Sequence, residues 1–336
     1  MESIVVIPLA EAKDFFGVSF PLAFGPGEAS RTVDSLTRWM TRPENRTKVD
    51  ELLLRHKAIL FRGWQINEPQ DFHDVVEALG YDTMEYQGGA AVRTQITPRV
   101  FTANESPPSE KIPYHHELAQ TPAPPTHVFF YCERPPETGG ATPILPSSEV
   151  YRKMTEKHPE FMHKLEHVGV RYLRVMPCDN DPTSAIGRGW KATFNAETVE
   201  EAEKALRRLG SEWEWLDGSD DAELKGCLKT ITAVVPGVRV DARTNEKTFF
   251  NSAVAAYTGW NDKRNSGNRA VQLADGSYCG EAEMMDAQQI MSDIEVVVPW
   301  QAGDIMLLDN RTVMHSRQPF TGPRRILASL CRDASR

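Results

Sequence analysis

The sequence predicts a mainly β fold with peripheral α-helices, built as an antiparallel double sheet of jelly-roll type. Three observations carry that expectation. Short β-prone runs recur along the chain and are separated by Gly/Pro turns. Strands and helices do not alternate regularly, and no GxGxxG follows a strand, so a doubly wound parallel sheet is disfavoured. The helical stretches are few and strongly polar on one side, as helices held at the outside of a sheet would be.

Taken in order, residues 29–56 carry helical spacing that Pro43 splits into two short helices. "KAILFRGW" (57–64) reads as a buried strand ending at Gly63, and 69–80 as an amphipathic helix with Phe72, Val75, Val76 and Leu79 on one face. Residues 84–111 are rich in loop signals. "THVFFYC" (126–132) is a strand, and "PPETGGATPIL" (135–145) a turn leading into another. Ser147 or Ser148 is placed to cap one helix over 148–166. A further helix covers about 196–209, with β runs at 168–176, 231–240, 247–251, 294–299, 304–309 and 325–331. No linker composition divides the chain, so 1–336 reads as one domain. Residues 178–193, a long stretch without apolar periodicity, are the candidate mobile lid.

Composition narrows the function classes. With 336 residues, 40% hydrophobic and 25% charged, the chain has the balance of a soluble globular protein. A net charge of −9 without any basic block argues against a nucleic-acid or anionic-membrane partner. No apolar run approaches the roughly 18 residues of a membrane span, and the N-terminal patch lacks a basic flank and a small-residue cleavage site. Five scattered cysteines without CxxC read as reduced thiols, and the expected location is cytoplasmic.

The chemistry concentrates in "IPYHHELAQTP" (112–122). His116-Glu117 begins the zinc-protease pattern HExxH, but Gln120 stands where the second histidine belongs, so a helical His pair is excluded. On a strand, His115 and Glu117 share one face and His116 takes the other. Such an HxE is weak evidence alone. A β run ending at Asp309-Asn310 is followed by His315, and His115, Glu117 and His315 together would form the 2-His-1-carboxylate set of non-haem Fe(II) oxygenases. Arg325, ten positions later on the next strand, could grip the far carboxylate of a chelating 2-oxo diacid, with Thr142 adding a hydroxyl. The ordered set HxE, GGxT, H, R is far more specific than its parts.

Here the chain resembles the taurine dioxygenase/clavaminate synthase-like group of Fe(II)/2-oxoglutarate-dependent oxygenases. The stretches that carry the resemblance include "HKAILFRGW", "TANESPP", "IPYHHELAQTP", "PPETGGATPI" and "VPWQAGDIMLLDNRTVMHSRQPFTGPRRILASLCR", in the family's order from residue 56 to 332. The resemblance implies a double-stranded β-helix core, Fe(II) on His115, Glu117 and His315, and 2-oxoglutarate held by Thr142 and Arg325, with O2 as the oxidant. Glu117 in place of aspartate fits the clavaminate synthase-like branch and argues against halogenation. Ser329 stands where sulfonate-cleaving relatives carry a second arginine, four residues past the oxoglutarate arginine, so taurine is disfavoured. Tyr86, Asn104, Asn251 and Tyr257 fall in family-like segments and are candidate substrate residues. The expected substrate is a small amino acid or related acid, undergoing hydroxylation, desaturation or ring closure. The alternative is a cupin-like metal- or ligand-binding module without turnover, for which the Arg and Thr clamp would be superfluous. His116 is expected to pack off the metal face, and Asp309-Asn310 to shape the turn that aims His315.

Overall fold

The computed structural model describes residues 4–28, 30–86, 89–90, 93–103 and 106–334. Its frame is two facing sheets. The larger runs in the order Val5–Val6, Leu22–Gly25, Ala58–Phe61, Ile305–Asp309, His127–Arg134, Arg325–Arg332, Val100–Thr102, Gln95–Thr97. Asp82–Thr83 adds to the far end of the Arg325–Arg332 strand. All these pairings are antiparallel except Leu22–Gly25 with Ala58–Phe61. The smaller sheet has Val313–Arg317 at its centre, between Ile144–Pro146 and Ile112–His115.

The central strand His127–Arg134 shows why "HVFFYC" reads as an unbroken apolar run: both of its faces are buried. Val128, Phe130 and Cys132 point inward with Ile326, Ala328 and Leu330 of the neighbouring strand, packing against Ile144 and Val313 of the small sheet. Phe129 and Tyr131 point outward, where Phe72 and Leu36 come down from the helices Val33–Met40 and Pro69–Leu79. Pro43 sits at the first position of the helix Pro43–His56, where its missing N–H costs nothing. A second group of helices, Ser147–Lys157, Ala253–Gly259 and Glu281–Ile294, covers the outside of the small sheet.

Several sequence expectations differ from the structure. The single helix over 148–166 is two helices, Ser147–Lys157 and Pro159–His167, because Pro159 starts a new one. Neither serine caps: the Ser147 hydroxyl donates to the Thr312 carbonyl instead. The run at 294–299 makes only an isolated bridge, Ile144 to Val296. Helices Ala253–Gly259 and Glu281–Ile294 were not anticipated. Residues 178–193 are pinned by the Asp181–Arg264 ion pair (2.8 Å) and run into the short helix Trp190–Phe194, with Ala185 and Ile186 lining a cavity. All five cysteines are unpaired. Among the described residues no helix is long and apolar enough to cross a membrane.

Candidate metal and co-substrate site

His115 ends the strand Ile112–His115, and His315 lies at the centre of Val313–Arg317, directly opposite it in register. His315, which follows the β run ending at Asp309-Asn310, therefore lies in the next strand itself. Their imidazole centroids are 4.4 Å apart. Glu117 lies past the strand end, in a turn closed by Ala119 N–H to His116 O (3.3 Å) and Thr121 N–H to Leu118 O (2.9 Å). Leu118 there takes φ +55°, a left-handed conformation that costs a non-glycine residue about 1–2 kcal/mol.

Asn310 holds this turn. Its Oδ1 accepts from Glu117 N–H (2.8 Å), while its Nδ2 donates to the carbonyls of Glu117 (3.1 Å) and Pro125 (2.8 Å). Asn310 thus aims Glu117 more directly than His315. Asp309 faces away, bound by Arg243 and Arg311. His116 packs as expected: it stacks on Phe250 at 4.3 Å and donates from Nδ1 to the Asn310 carbonyl (2.6 Å).

One ligand atom each from His115, Glu117 and His315 falls within 4.8 Å of the others. His115 donates from Nδ1 to the Pro113 carbonyl (2.8 Å), which fixes the tautomer and leaves Nε2 with a lone pair for a metal. His315 Nε2 faces Glu117 Oε2 at 3.6 Å. Burial and the neighbouring His315 push the His115 imidazole down to about 4, so it is neutral and ligand-ready at physiological pH. Burial would raise the Glu117 carboxyl, but Arg93 and the two histidines hold it well below the usual carboxylate range. Two imidazoles and one carboxylate with open space on one side suit a divalent first-row metal such as Fe(II).

Two cavities meet at this point. The smaller is lined by His115, His315, Phe130, Thr142, Arg317 and Arg324. Gly139 and Gly140, at φ +65° and +63°, build the turn that brings Thr142 in; a Cβ at Gly139 would lie 2.3 Å from the Pro319 carbonyl oxygen. The Thr142 hydroxyl accepts from Trp300 Nε1 (3.2 Å) and from Arg324 Nη2 (3.5 Å). Arg324 also donates from Nε to Gly140 O (2.8 Å). Burial pushes its guanidinium down to about 10, with Arg317 adding repulsion. No carboxylate lines this cavity among the described residues. A buried cationic pocket without its own anion suits a dianion such as 2-oxoglutarate, whose fit rests on that vacancy of charge.

The arginine expected in this role, Arg325, is elsewhere. It points to the opposite face, 47% exposed in its side chain, and pairs with Glu133 at 2.6 Å. Strand alternation explains the correction: Arg324 shares the inward face with Ile326 and Ala328, and Arg325 the outward face with Leu327. Counted from Arg324, the second-arginine position is Ala328, buried and equally unable to hold an anion.

The larger cavity, about 350 Å³, is lined by Tyr86, Arg93, Lys111, Gln120, Trp260 and Gln288 among others, with His115 and Glu117 at its base. Of the four candidate substrate residues, Tyr86 lies here. Asn251 does not: it is fully buried, donating to Gly237 O (2.8 Å) and accepting from Ala253 N–H (2.9 Å). Tyr257 packs against the helical core, while its neighbours Thr258 and Trp260 reach the cavity. Asn104 lies outside the described residues. Sequence reasoning missed Arg93, whose Nη2 donates to both Glu117 oxygens (3.0 and 3.1 Å), and Arg188, stacked on Tyr86 at 4.8 Å. The only sequence signal for Arg93 is a cation alone in the uncharged stretch "GGAAVRTQ".

Comparison with known proteins shows the family. Residues 20–331 match the family described as Taurine catabolism dioxygenase TauD, TfdA. A clavaminate synthase-like protein of Arabidopsis thaliana is 45% identical over 98% of both chains. The dapdiamide synthesis protein DdaC of Enterobacter agglomerans is 28% identical over 84% of each. Among solved structures, a taurine dioxygenase from Burkholderia xenovorans superposes with TM-score 0.54 at 15% identity, covering 98% of this chain and 90% of that one. PvcB, an Fe, α-ketoglutarate dependent oxygenase from an isonitrile synthetic pathway, does so with TM-score 0.50 at 13% identity, covering 98% and 91%. At these identities the two structures bear on the fold alone, a jelly-roll core whose sheets are not closed. The chain belongs to the taurine catabolism dioxygenase TauD, TfdA family, and is an Fe(II)- and 2-oxoglutarate-dependent dioxygenase.

Proposed function

We propose that His115, Glu117 and His315 hold the Fe(II), that Arg324 and Thr142 hold 2-oxoglutarate, and that the enzyme oxidises an unactivated C–H bond of a small polar metabolite, an amino acid or a derivative. The observation that carries this reading is the convergence of three ligand atoms within 4.8 Å where a cationic pocket meets a larger polar cavity. Iron with 2-oxoglutarate supplies oxidative power from O2, releasing succinate and CO2.

The protein's own contributions are positional. Arg324 meets the distal carboxylate of the diacid, and the Thr142 hydroxyl, fixed by Trp300, adds a polar contact beside it. Asn310 and the His115–Pro113 bond fix the ligating groups before any metal arrives, so little reorganisation accompanies binding. Phe130 and Ile326 line the co-substrate pocket with hydrocarbon and exclude water beside the reacting centre. The 350 Å³ cavity suits a small metabolite, with polar groups around its rim and Trp260 as an apolar wall. Which C–H bond is placed over the metal decides between hydroxylation, desaturation and ring closure.

The test is anaerobic titration of Fe(II) and 2-oxoglutarate into the apo-protein, following the weak metal-to-ligand charge-transfer band in the visible. The band appears and amino-acid substrates perturb it. Demonstrably bound iron with no band on adding 2-oxoglutarate would overturn the co-substrate assignment.

A further inference from the structure

The geometry points to Arg93 as the group that receives a carboxylate of the primary substrate, which makes that substrate an anion docked beside Glu117. The inference rests on the reading above and deepens it.

Arg93 forms part of the wall between the two cavities and lines both. Its side chain is only 7% exposed. The guanidinium carbon lies 4.1 Å from the Tyr86 ring centroid and 5.1 Å from that of Phe101, so its plane is fixed by aromatic faces. One end is committed: Nη2 donates to both Glu117 oxygens. The other two nitrogens are not. Neither Nε nor Nη1 finds a hydrogen-bond partner among the described residues, although both atoms are buried. Nε–H and the Nη1 N–H groups flank Nη2 on two sides of the guanidinium plane, and each offers a charged donor to a carboxylate oxygen. Buried guanidinium donors are rarely left unmet, so donors of this kind ask for an acceptor that arrives with a ligand.

Charge points the same way. Among the described residues Glu117 is the only carboxylate paired with Arg93, and the same group is the one acidic member of the metal set. One negative charge cannot balance both a divalent ion and a guanidinium. The co-substrate's distal carboxylate is matched to Arg324, at the far end of the smaller cavity. Ala328, on the strand where an anion-binding arginine would stand in the sulfonate-cleaving pattern, offers nothing. Arg93 reaches Glu117 from just before the strand Gln95–Thr97, a different element from the one that carries Arg324. Its substrate would therefore lie with its anionic group over Tyr86 and Glu117 and its remainder toward Gln120 and Trp260.

The test uses the Co(II)-loaded protein, saturated with 2-oxoglutarate under argon, and [1-13C]acetate as the anion probe, with acetamide as its neutral match. Co(II) relaxes the probe's carboxyl carbon only when it dwells beside the metal. In the native protein acetate is relaxed and acetamide is not. Arg93→Met abolishes at least nine-tenths of the acetate effect while 2-oxoglutarate affinity stays within about threefold. Arg93→Lys, which keeps the charge and loses the separate Nε and Nη1 donors, retains an intermediate effect and guards against a folding failure of the methionine variant. Equal acetate relaxation in native and Arg93→Met proteins overturns the proposal, as does a main loss in 2-oxoglutarate affinity, which would give the arginine to the co-substrate. Absence of the Fe(II)/2-oxoglutarate band in the native protein would instead sink the underlying reading, so the two failures are distinguishable.

Discussion

Replacing Arg324 by Met, and separately Arg325 by Met, sets apart two adjacent cations that the sequence alone cannot rank. Arg324 is partly buried, donates to Gly140 O at 2.8 Å, and faces a pocket that no carboxylate lines among the described residues. A charge-assisted contact in such a place costs about 2–5 kcal/mol when one partner is truncated. Its partial exposure puts the expectation at the lower end, about 2–3 kcal/mol, equivalent to about 30–150-fold in Kd for 2-oxoglutarate. Arg325 has one surface pair, to Glu133, with nearly half its side chain in water. Pairs of that kind are worth about 0–1 kcal/mol and touch no ligand, so the Arg325 variant binds 2-oxoglutarate within about twofold of the native protein. The assay is titration of 2-oxoglutarate into the Fe(II)-loaded protein, anaerobically, read by the charge-transfer band and checked by calorimetry. Unchanged affinity in Arg324→Met, or a tenfold loss in Arg325→Met, would refute the inward and outward assignment of the two side chains.

Other consequences are equally concrete. His115→Ala and His315→Ala each abolish stoichiometric iron, measured by metal analysis after anaerobic reconstitution; a full complement of iron in either variant would remove the ligand set. Asn310→Ala strands the Glu117 N–H and two carbonyls in a buried place, for a loss of about 3 kcal/mol in stability by urea denaturation, together with weaker iron binding. Native apo-protein loses stability as pH falls from about 6.5 toward 4. Burial lowers the His115 and His127 imidazoles to about 4 and His116 to about 3, so the unfolded chain binds more protons in that window. His116 alone accounts for about 2 kcal/mol between pH 7 and pH 5, and His116→Phe, stacked on Phe250, should flatten the urea-midpoint profile by that amount.

What could be read from the sequence follows from how each group is placed. HxE and GGxT are local: two residues share a strand face at spacing two, and two glycines in a row demand a left-handed turn. The strand before His315 was legible from the apolar run 305–308, and His315 from its short distance past the polar turn 309–312. Arg325 was misassigned because two adjacent arginines at a strand start differ only in face. Face is set by the register against His127–Arg134, a long-range fact. The correction shows the limit: Cys132 pairs with Ile326 and Arg134 with Arg325 across a bulge, and nothing near 324 announces it. Asn251 and Tyr257 sit near the cavity in sequence, but the turn of the helix Ala253–Gly259 carries Tyr257 away and brings Thr258 in. Arg93 comes from a loop without periodicity, so its meeting with Glu117 exists only in three dimensions.

The direct opposition of His115 and His315 has a consequence for assembly of the chain. The two residues are about 200 positions apart, and closing so long a loop costs roughly 5 kcal/mol of chain entropy on a simple polymer estimate. A metal bridging that pair acts as a late staple, joining the first third of the polypeptide to its last strands. Iron starvation would then be felt as looser pairing of Ile112–His115 with Val313–Arg317, visible as faster amide exchange there than in the central strands of the larger sheet. Chains truncated before the last strands would lack the site altogether, so iron retention would double as a sign that synthesis and folding have reached the end.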